Sequence, residues 1–145
     1  MYLAINGTIY DVSANRRIYG PGGGYQFFAG TDASRSFVTG CFAEDRTADM
    51  RGAEEMYLPL EDPEFDAAHW SPAELDEIRR RERERALQKV HEALLHWVRF
   101  FDNNEKYPRI GYVQRDPDWL EKEPRRKLCE AAAKQRKRRK VPGEE

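Results

Sequence analysis

The residues able to do chemistry are few and scattered. Cys41 and Cys129 are far apart and stand in unlike surroundings, with no CxxC pair and no Cys/His cluster of the kind that holds zinc. They read as two free thiols of a reducing compartment, with Cys41 as a small buried core residue. His91 and His96 are five apart, whereas a spacing of four would put them on one helix face. With His69 they read as structural or surface residues. No Ser/His/Asp arrangement, metal-ligand spacing or phosphate-binding loop is present, so the chain is expected to bind rather than to turn over a substrate. What remains is aromatic. Tyr19-Gly20-Pro21-Gly22-Gly23-Gly24-Tyr25 places a tyrosine at each end of a segment with four glycines and a proline, which regular helix or a central strand does not accommodate. From the residues alone, the two tyrosines either pin this loop against a sheet or line a site. Lys106, on the same basis, is a solvated lysine.

The elements that must position these groups carry clear local signals. Leu3-Ala4-Ile5 and Thr8-Ile9-Tyr10 flank Asn6-Gly7, the dipeptide favoured where both hairpin-turn residues need positive φ. Gln26–Ala29 reads as one helical turn. Thr31 or Asp32 caps a short helix through Ala33–Thr39, and Asp32-Ala33-Ser34-Arg35 reads as that cap with an internal ion pair. A second short helix covers part of Ala53–Leu58, followed by an acidic connector, Pro59–Asp66. Ser71-Pro72-Ala73-Glu74 is a helix start with N-cap, first-turn proline and capping-box glutamate. The pattern predicts helix to about Phe101. Its first part, Asp76–Arg85, is almost wholly charged and is expected to be held by Glu–Arg pairs in solvent. Its later part spaces Leu87, Val90, Leu94, Trp97 and Phe101 by three and four and has a face to bury. Trp70, Trp97 and Phe101 read as core packing. Asn103-Asn104 ends the helix, Ile110–Gln114 returns as a strand, and Asp116-Pro117-Asp118 opens a last helical stretch.

At 145 residues the chain makes one compact domain. Residues 1–70 hold 5 Lys/Arg against 11 Asp/Glu, while residues 71–145 hold 20 against 15. An acidic, aromatic front half is thus joined to a basic, helical back half. We divide the chain into a folded unit, residues 1–115, and a basic helical tail, residues 116–145. Within the tail, Lys134–Lys140 is expected to be too self-repelling to pack and to fray into a disordered end, Val141–Glu145. That run could serve as a nuclear import signal, a nucleic-acid patch or an anchor to anionic lipid, or simply as a solvated tail. No segment approaches the roughly 20 apolar residues of a membrane-spanning helix, and the first residues lack a signal-peptide pattern, so the chain is expected to be neither spanning nor secreted.

The front half is more specific than any single motif in it. Leu3-Ala4-Ile5-Asn6-Gly7, Tyr10-Asp11-Val12, the tyrosine-flanked glycine loop, Phe28-Ala29-Gly30, Asp32-Ala33-Ser34-Arg35 and Cys41-Phe42 follow one another over about 40 residues. In order and spacing this string resembles the core of the membrane-associated progesterone receptor proteins, an offshoot of the cytochrome b5 fold. Lys106-Tyr107 with Gly111 resembles the closing segment of that family.

The resemblance implies an α+β, cytochrome b5-like heme/steroid-binding fold. A small mixed sheet would carry short helices that wall a heme pocket, here with an added long charged helix and the basic C-terminal helix. Cytochrome b5 itself uses two histidines on iron; none lies near the matching loop here. By resemblance the metal ligand is the phenolate of Tyr25, and Tyr19, Lys106 and Tyr107 complete the cofactor-binding set. A phenolate is a hard anionic donor suited to ferric iron. Metal binding must offset loss of a proton whose ordinary pKa is ~10, and Lys106 or Tyr19 would help to stabilise the charge. Phe27, Phe28 and Phe37 would supply apolar wall. The resemblance also implies a non-enzymatic protein that takes heme, with steroid as a further ligand class. It would support heme-thiolate monooxygenases of sterol metabolism at the endoplasmic reticulum or other endomembranes. Lys134–Lys140 would then touch anionic membrane in preference to any specific nucleic acid, with the chain on the cytoplasmic side or soluble. A heme-free interaction module of the same fold is the alternative. Family domains begin with an extra strand and helix before the hairpin; this chain starts almost at the hairpin, as a truncated form, a gene-model fragment or a soluble variant with an incomplete sheet would.

Overall fold

A computed structural model describes residues 1–143. Strands β1 (Tyr2–Ile5) and β2 (Thr8–Asp11) form the hairpin, paired antiparallel with Ile5 opposite Thr8. Asn6 and Gly7 take φ of 49° and 81°, the two positive values that a tight turn matched to strand twist requires. Strand β3 (Arg109–Tyr112) adds antiparallel to β2, giving the order β1-β2-β3. Parallel pairing, expected of a mixed sheet, is confined to isolated bridges such as Ala4 with Asp32.

Short helices α1 (Arg16–Tyr19) and α2 (Ser34–Thr39) and a 3₁₀ turn at Gln26–Phe28 sit against one face of the sheet. Asp32 locks this layer to the hairpin. One carboxylate oxygen accepts from the Ser34 amide (3.0 Å) and hydroxyl (2.5 Å), and the other from Gly7 N–H (3.1 Å) and Arg115 (3.0 Å). The cap expected at Thr31 or Asp32 is not formed: Ala33 is the N-cap residue of α2 and no side chain caps the helix, so Asp32 braces the hairpin turn instead. The ion pair of the motif is different: buried Arg35 faces Asp45 at 3.3 Å and donates to the carbonyls of Asp49 and Arg51.

The long helix begins where expected, but the acidic stretch before it, expected as a connector, carries a helix of its own. Asp62 caps helix α3 (Pro63–His69), accepting from the Phe65 amide, because Pro63 and Glu64 suit a first turn. Helix α4 (Pro72–Asp102) then runs for 31 residues from the predicted capping box, in which the Ser71 and Glu74 side chains each accept from the other's amide. Its C-terminal part delivers Phe101 to the core, with Leu94, Trp97 and Val98 packed beside it. Phe37 stacks on Trp97 at a ring-centroid distance of 4.6 Å. Leu87, by contrast, is exposed. The charged N-terminal part does carry Glu77–Arg80, Glu77–Arg81 and Arg80–Glu84 pairs in solvent.

The C-terminal segment overturns two expectations. Cys41 and Cys129 form a disulfide across 88 residues rather than standing as free thiols. Lys134–Lys140 does pack, because it meets an acidic cluster contributed by α3 and α4. Arg139 is buried and donates to Asp66 (2.6 Å), Glu82 (2.8 Å) and Glu61 (3.2 Å). Arg136 donates to the carbonyls of Leu58 and Pro59, and the Leu60 amide donates to the Lys137 carbonyl. Repulsion within the run is offset by carboxylates from elsewhere in the chain. Among its described residues the segment is helical in two single turns, α5 (Trp119–Lys122) and α6 (Glu130–Ala133). Of the end expected to be disordered, Glu144 and Glu145 lie outside the described residues.

Candidate functional site

Three of the four expected site residues meet. Tyr19 closes α1, Tyr25 follows the glycine loop, and Tyr107 sits just before β3. The Tyr19 ring lies 5.9 Å from both Tyr25 and Tyr107, centroid to centroid. The loop folds back on α1. The Tyr25 amide donates to the Ile18 carbonyl at 2.8 Å, and a Cβ on Gly23 would come within 2.3 Å of that same oxygen. Only glycine permits this approach.

The three phenols are not equivalent. Tyr19 is buried, and desolvation, reinforced by the neighbouring Tyr107 and Tyr25, pushes its hydroxyl above the ordinary tyrosine range. The Tyr107 hydroxyl accepts a short hydrogen bond from the Asn15 side-chain amide. Tyr25 is half-buried, and its hydroxyl makes no hydrogen bond among the described residues. A wall of Phe28 (5.3 Å), Phe42 (5.6 Å) and Phe37 (6.3 Å) surrounds its ring. Beside it, Gly22 and Gly24 have open space where a Cβ would stand. Phe27, expected in the wall, is exposed instead.

Lys106 does not join the cluster. Its ammonium is exposed and has no ion pair or hydrogen bond among the described residues, while its amide donates to Asn104 Oδ1 at 3.0 Å. It lies with Phe100 and Asn103 on an open cleft of about 630 Å³. The backbone turns at Asn104, whose carbonyl accepts from the Tyr107 amide. Tyr107 is thereby sent inward while Lys106 is left outward. Sequence reading missed two contributors. Asn15 carries no local signal of its contact with Tyr107, 92 residues away. Phe42 was visible only as part of the Cys41-Phe42 motif.

The donor set is chemically suited to heme iron: an unpartnered, surface-accessible phenol on an apolar wall, with bare glycine backbone at its side. Residues 1–114 match the family described as "Cytochrome b5-like Heme/Steroid binding domain". The chain belongs to this family. Neuferricin of Danio rerio is 61% identical over 44 residues, 30% of this chain and 16% of that protein. Human neuferricin is 50% identical over 62 residues, 40% of this chain and 24% of that protein. Membrane steroid-binding protein 2 of Arabidopsis thaliana is 51% identical over 53 residues, 36% and 23% of the two chains. The matched segments thus span a quarter or less of these relatives. The solution structure of an Arabidopsis protein described as a candidate steroid binder has a TM-score of 0.49 at 27% identity, covering 79% of this chain and 78% of that one. No helix of the described residues is long and apolar enough to cross a membrane.

One further group of potential ligands is accounted for by other bonds. Cys41, Cys129 and Asp45 bring ligand atoms within 4.8 Å of one another, but the two sulfurs are bonded together and Asp45 faces Arg35 and Arg126.

Proposed function

We propose that this chain is a non-enzymatic binding domain that holds ferric heme through the Tyr25 phenolate. The observation that carries this reading is the difference among the three tyrosines. Burial keeps Tyr19 protonated and Asn15 engages Tyr107, while the Tyr25 hydroxyl is free and reachable. Phe28, Phe37 and Phe42 would exclude water from one side of the macrocycle, and Gly22 and Gly24 would let it approach the backbone. Tyr19 and Tyr107 would stand beside the anionic ligand, Tyr19 held protonated by its burial. Lys106 would reach the cofactor's rim only by reorienting. When bound, ferric heme would supply a redox-active iron.

The relatives named for steroid binding support a steroid as the second ligand class. Support of heme-thiolate monooxygenases in sterol metabolism at an endomembrane follows from the family resemblance. The disulfide alters the expected side of that membrane. A Cys41–Cys129 bond persists in an oxidising space, so we place the domain on the lumenal or external face and not the cytoplasmic one.

The test is a heme titration of the purified chain read by absorbance, with Tyr25→Phe and Tyr19→Phe in parallel. One heme per chain with a high-spin ferric, phenolate-type spectrum, lost in Tyr25→Phe and kept in Tyr19→Phe, supports the assignment. If the wild-type chain takes up no heme, the heme reading fails and a heme-free interaction module replaces it.

A further inference from the structure

Away from the tyrosine cluster, a groove of about 670 Å³ opens between α4, the 3₁₀ turn Ala53–Tyr57 and the docked C-terminal segment. Met56, Tyr57, Trp70 and Ile78 line it and are each half-buried. Arg85, Lys89, Lys137 and Lys140 also line it and are exposed. Its one acidic lining residue, Glu82, is already bonded to Arg139. The side chains of Arg85, Lys137 and Lys140 have no carboxylate or hydrogen-bond partner among the described residues. The Lys89 ammonium sits 5.6 Å from the Tyr57 ring centre. Unneutralised cations therefore converge on a partly aromatic concavity.

The basic wall is held in place before any ligand arrives. Arg139 ties it to α3 and α4, Arg136 ties it to the carbonyls of Leu58 and Pro59, and the Leu60–Lys137 bond closes its upper edge. A preformed wall lowers the ordering cost of binding.

We propose that this groove binds an acidic peptide segment of a partner protein, one that carries an aliphatic or aromatic side chain among its carboxylates. The carboxylates pair with Arg85, Lys137 and Lys140, and the apolar side chain rests on Trp70 and Tyr57. Charge complementarity selects an anion, and the shape selects a chain. A planar bilayer would meet only the rim cations and leave the aromatic floor unused. A long nucleic acid needs a continuous basic track. Here Glu77 and Glu84 alternate with the arginines of α4, so the basic lining does not continue as a track along that helix.

The experiment uses the full chain and a fluorescein-labelled octapeptide, Glu-Glu-Phe-Glu-Glu-Leu-Glu-Glu, read by anisotropy at low salt. The comparison peptide has Gln at every Glu. Tighter binding of the acidic peptide by ~10-fold or more, lost in the double variant Arg85→Glu/Lys140→Glu, supports the site. Both substituted residues are exposed, and an unchanged melting temperature separates lost binding from lost folding. Equal binding of the two peptides, or full affinity in the charge-reversed variant, overturns the proposal. So does displacement of the peptide by phosphatidylserine vesicles or a single-stranded oligonucleotide at lower concentration than by unlabelled peptide.

Discussion

Arg139 donates from Nη1 to the Asp66 carboxylate at 2.6 Å across 73 residues of chain, and both side chains are almost wholly buried. The second Asp66 oxygen has no partner, so this guanidinium is the main compensation for a buried negative charge. Glu82 and Glu61 share it from either side. The contact converts a basic run into a structural strap over α3 and α4.

Removing that guanidinium leaves a buried carboxylate unpaired. Arg139→Ala is expected to destabilise the fold by about 3 kcal/mol in urea denaturation. Arg139→Lys restores the charge but not the fork that spans three carboxylates, so it should recover only part of the loss. An Arg139→Ala protein as stable as wild type would mean that the strap contributes nothing.

Acid should loosen the same strap. Bonds from Arg79 and then Arg139 hold the Glu61 carboxyl at about 2, below its ordinary 4.5. Its folded-state value is depressed, so its contribution is complete above pH 4.5 and fades as the pH falls toward 2. Glu61 is half-exposed, which makes its share modest and sensitive to salt. Melting temperatures by circular dichroism between pH 7 and pH 2 should fall over this window. The fall should be shallower in Arg139→Ala, which has already lost the bond. Identical slopes would remove Glu61 from the account.

Reduction should release the strap's other anchor. The Cys41–Cys129 bond closes a loop of 88 residues, for which loop-closure entropy gives about 4.6 kcal/mol. Cys129→Ser, or dithiothreitol, is therefore expected to lower stability on that order and to speed protease cleavage between residues 116 and 140. Free-thiol titration of the native protein is the direct check, with fewer than one reactive thiol per chain expected.

The site itself yields a packing prediction. Phe42 touches Tyr25 from the residue next to Cys41. Phe42→Ala should weaken heme uptake several-fold while preserving the phenolate spectrum, because it removes wall and not ligand. Loss of the spectrum in this variant would instead assign Phe42 to positioning the Tyr25 ring.

Much of the scaffold was legible from neighbours in sequence. Asn6-Gly7 specified the hairpin turn, Ser71-Pro72-Ala73-Glu74 the start of α4, and the glycine loop its own irregular course, since each signal acts over a few bonds. The ordered motifs of the front half pointed to the family and, with the closing segment, to Tyr19, Tyr25, Lys106 and Tyr107 as a group, of which Lys106 stays outside the cluster. What the residues alone could not assign was the division of labour among these phenols. That division depends on burial and on Asn15, which tertiary packing brings to Tyr107.

The errors share one cause. A run of six cations within Lys134–Lys140 shows its internal repulsion in the sequence, but the carboxylates that offset it stand on Glu61, Asp66 and Glu82. Two cysteines 88 residues apart look unrelated until the chain returns to bring them together. By itself the sequence determined the hairpin turn, the capping box and span of the long helix, and the family of this protein, because those rest on short-range sterics and on the order of motifs. Only the tertiary structure decided where the basic segment lies, how the thiols pair and which tyrosine stays free, because these depend on contacts and desolvation between residues that are distant in the chain.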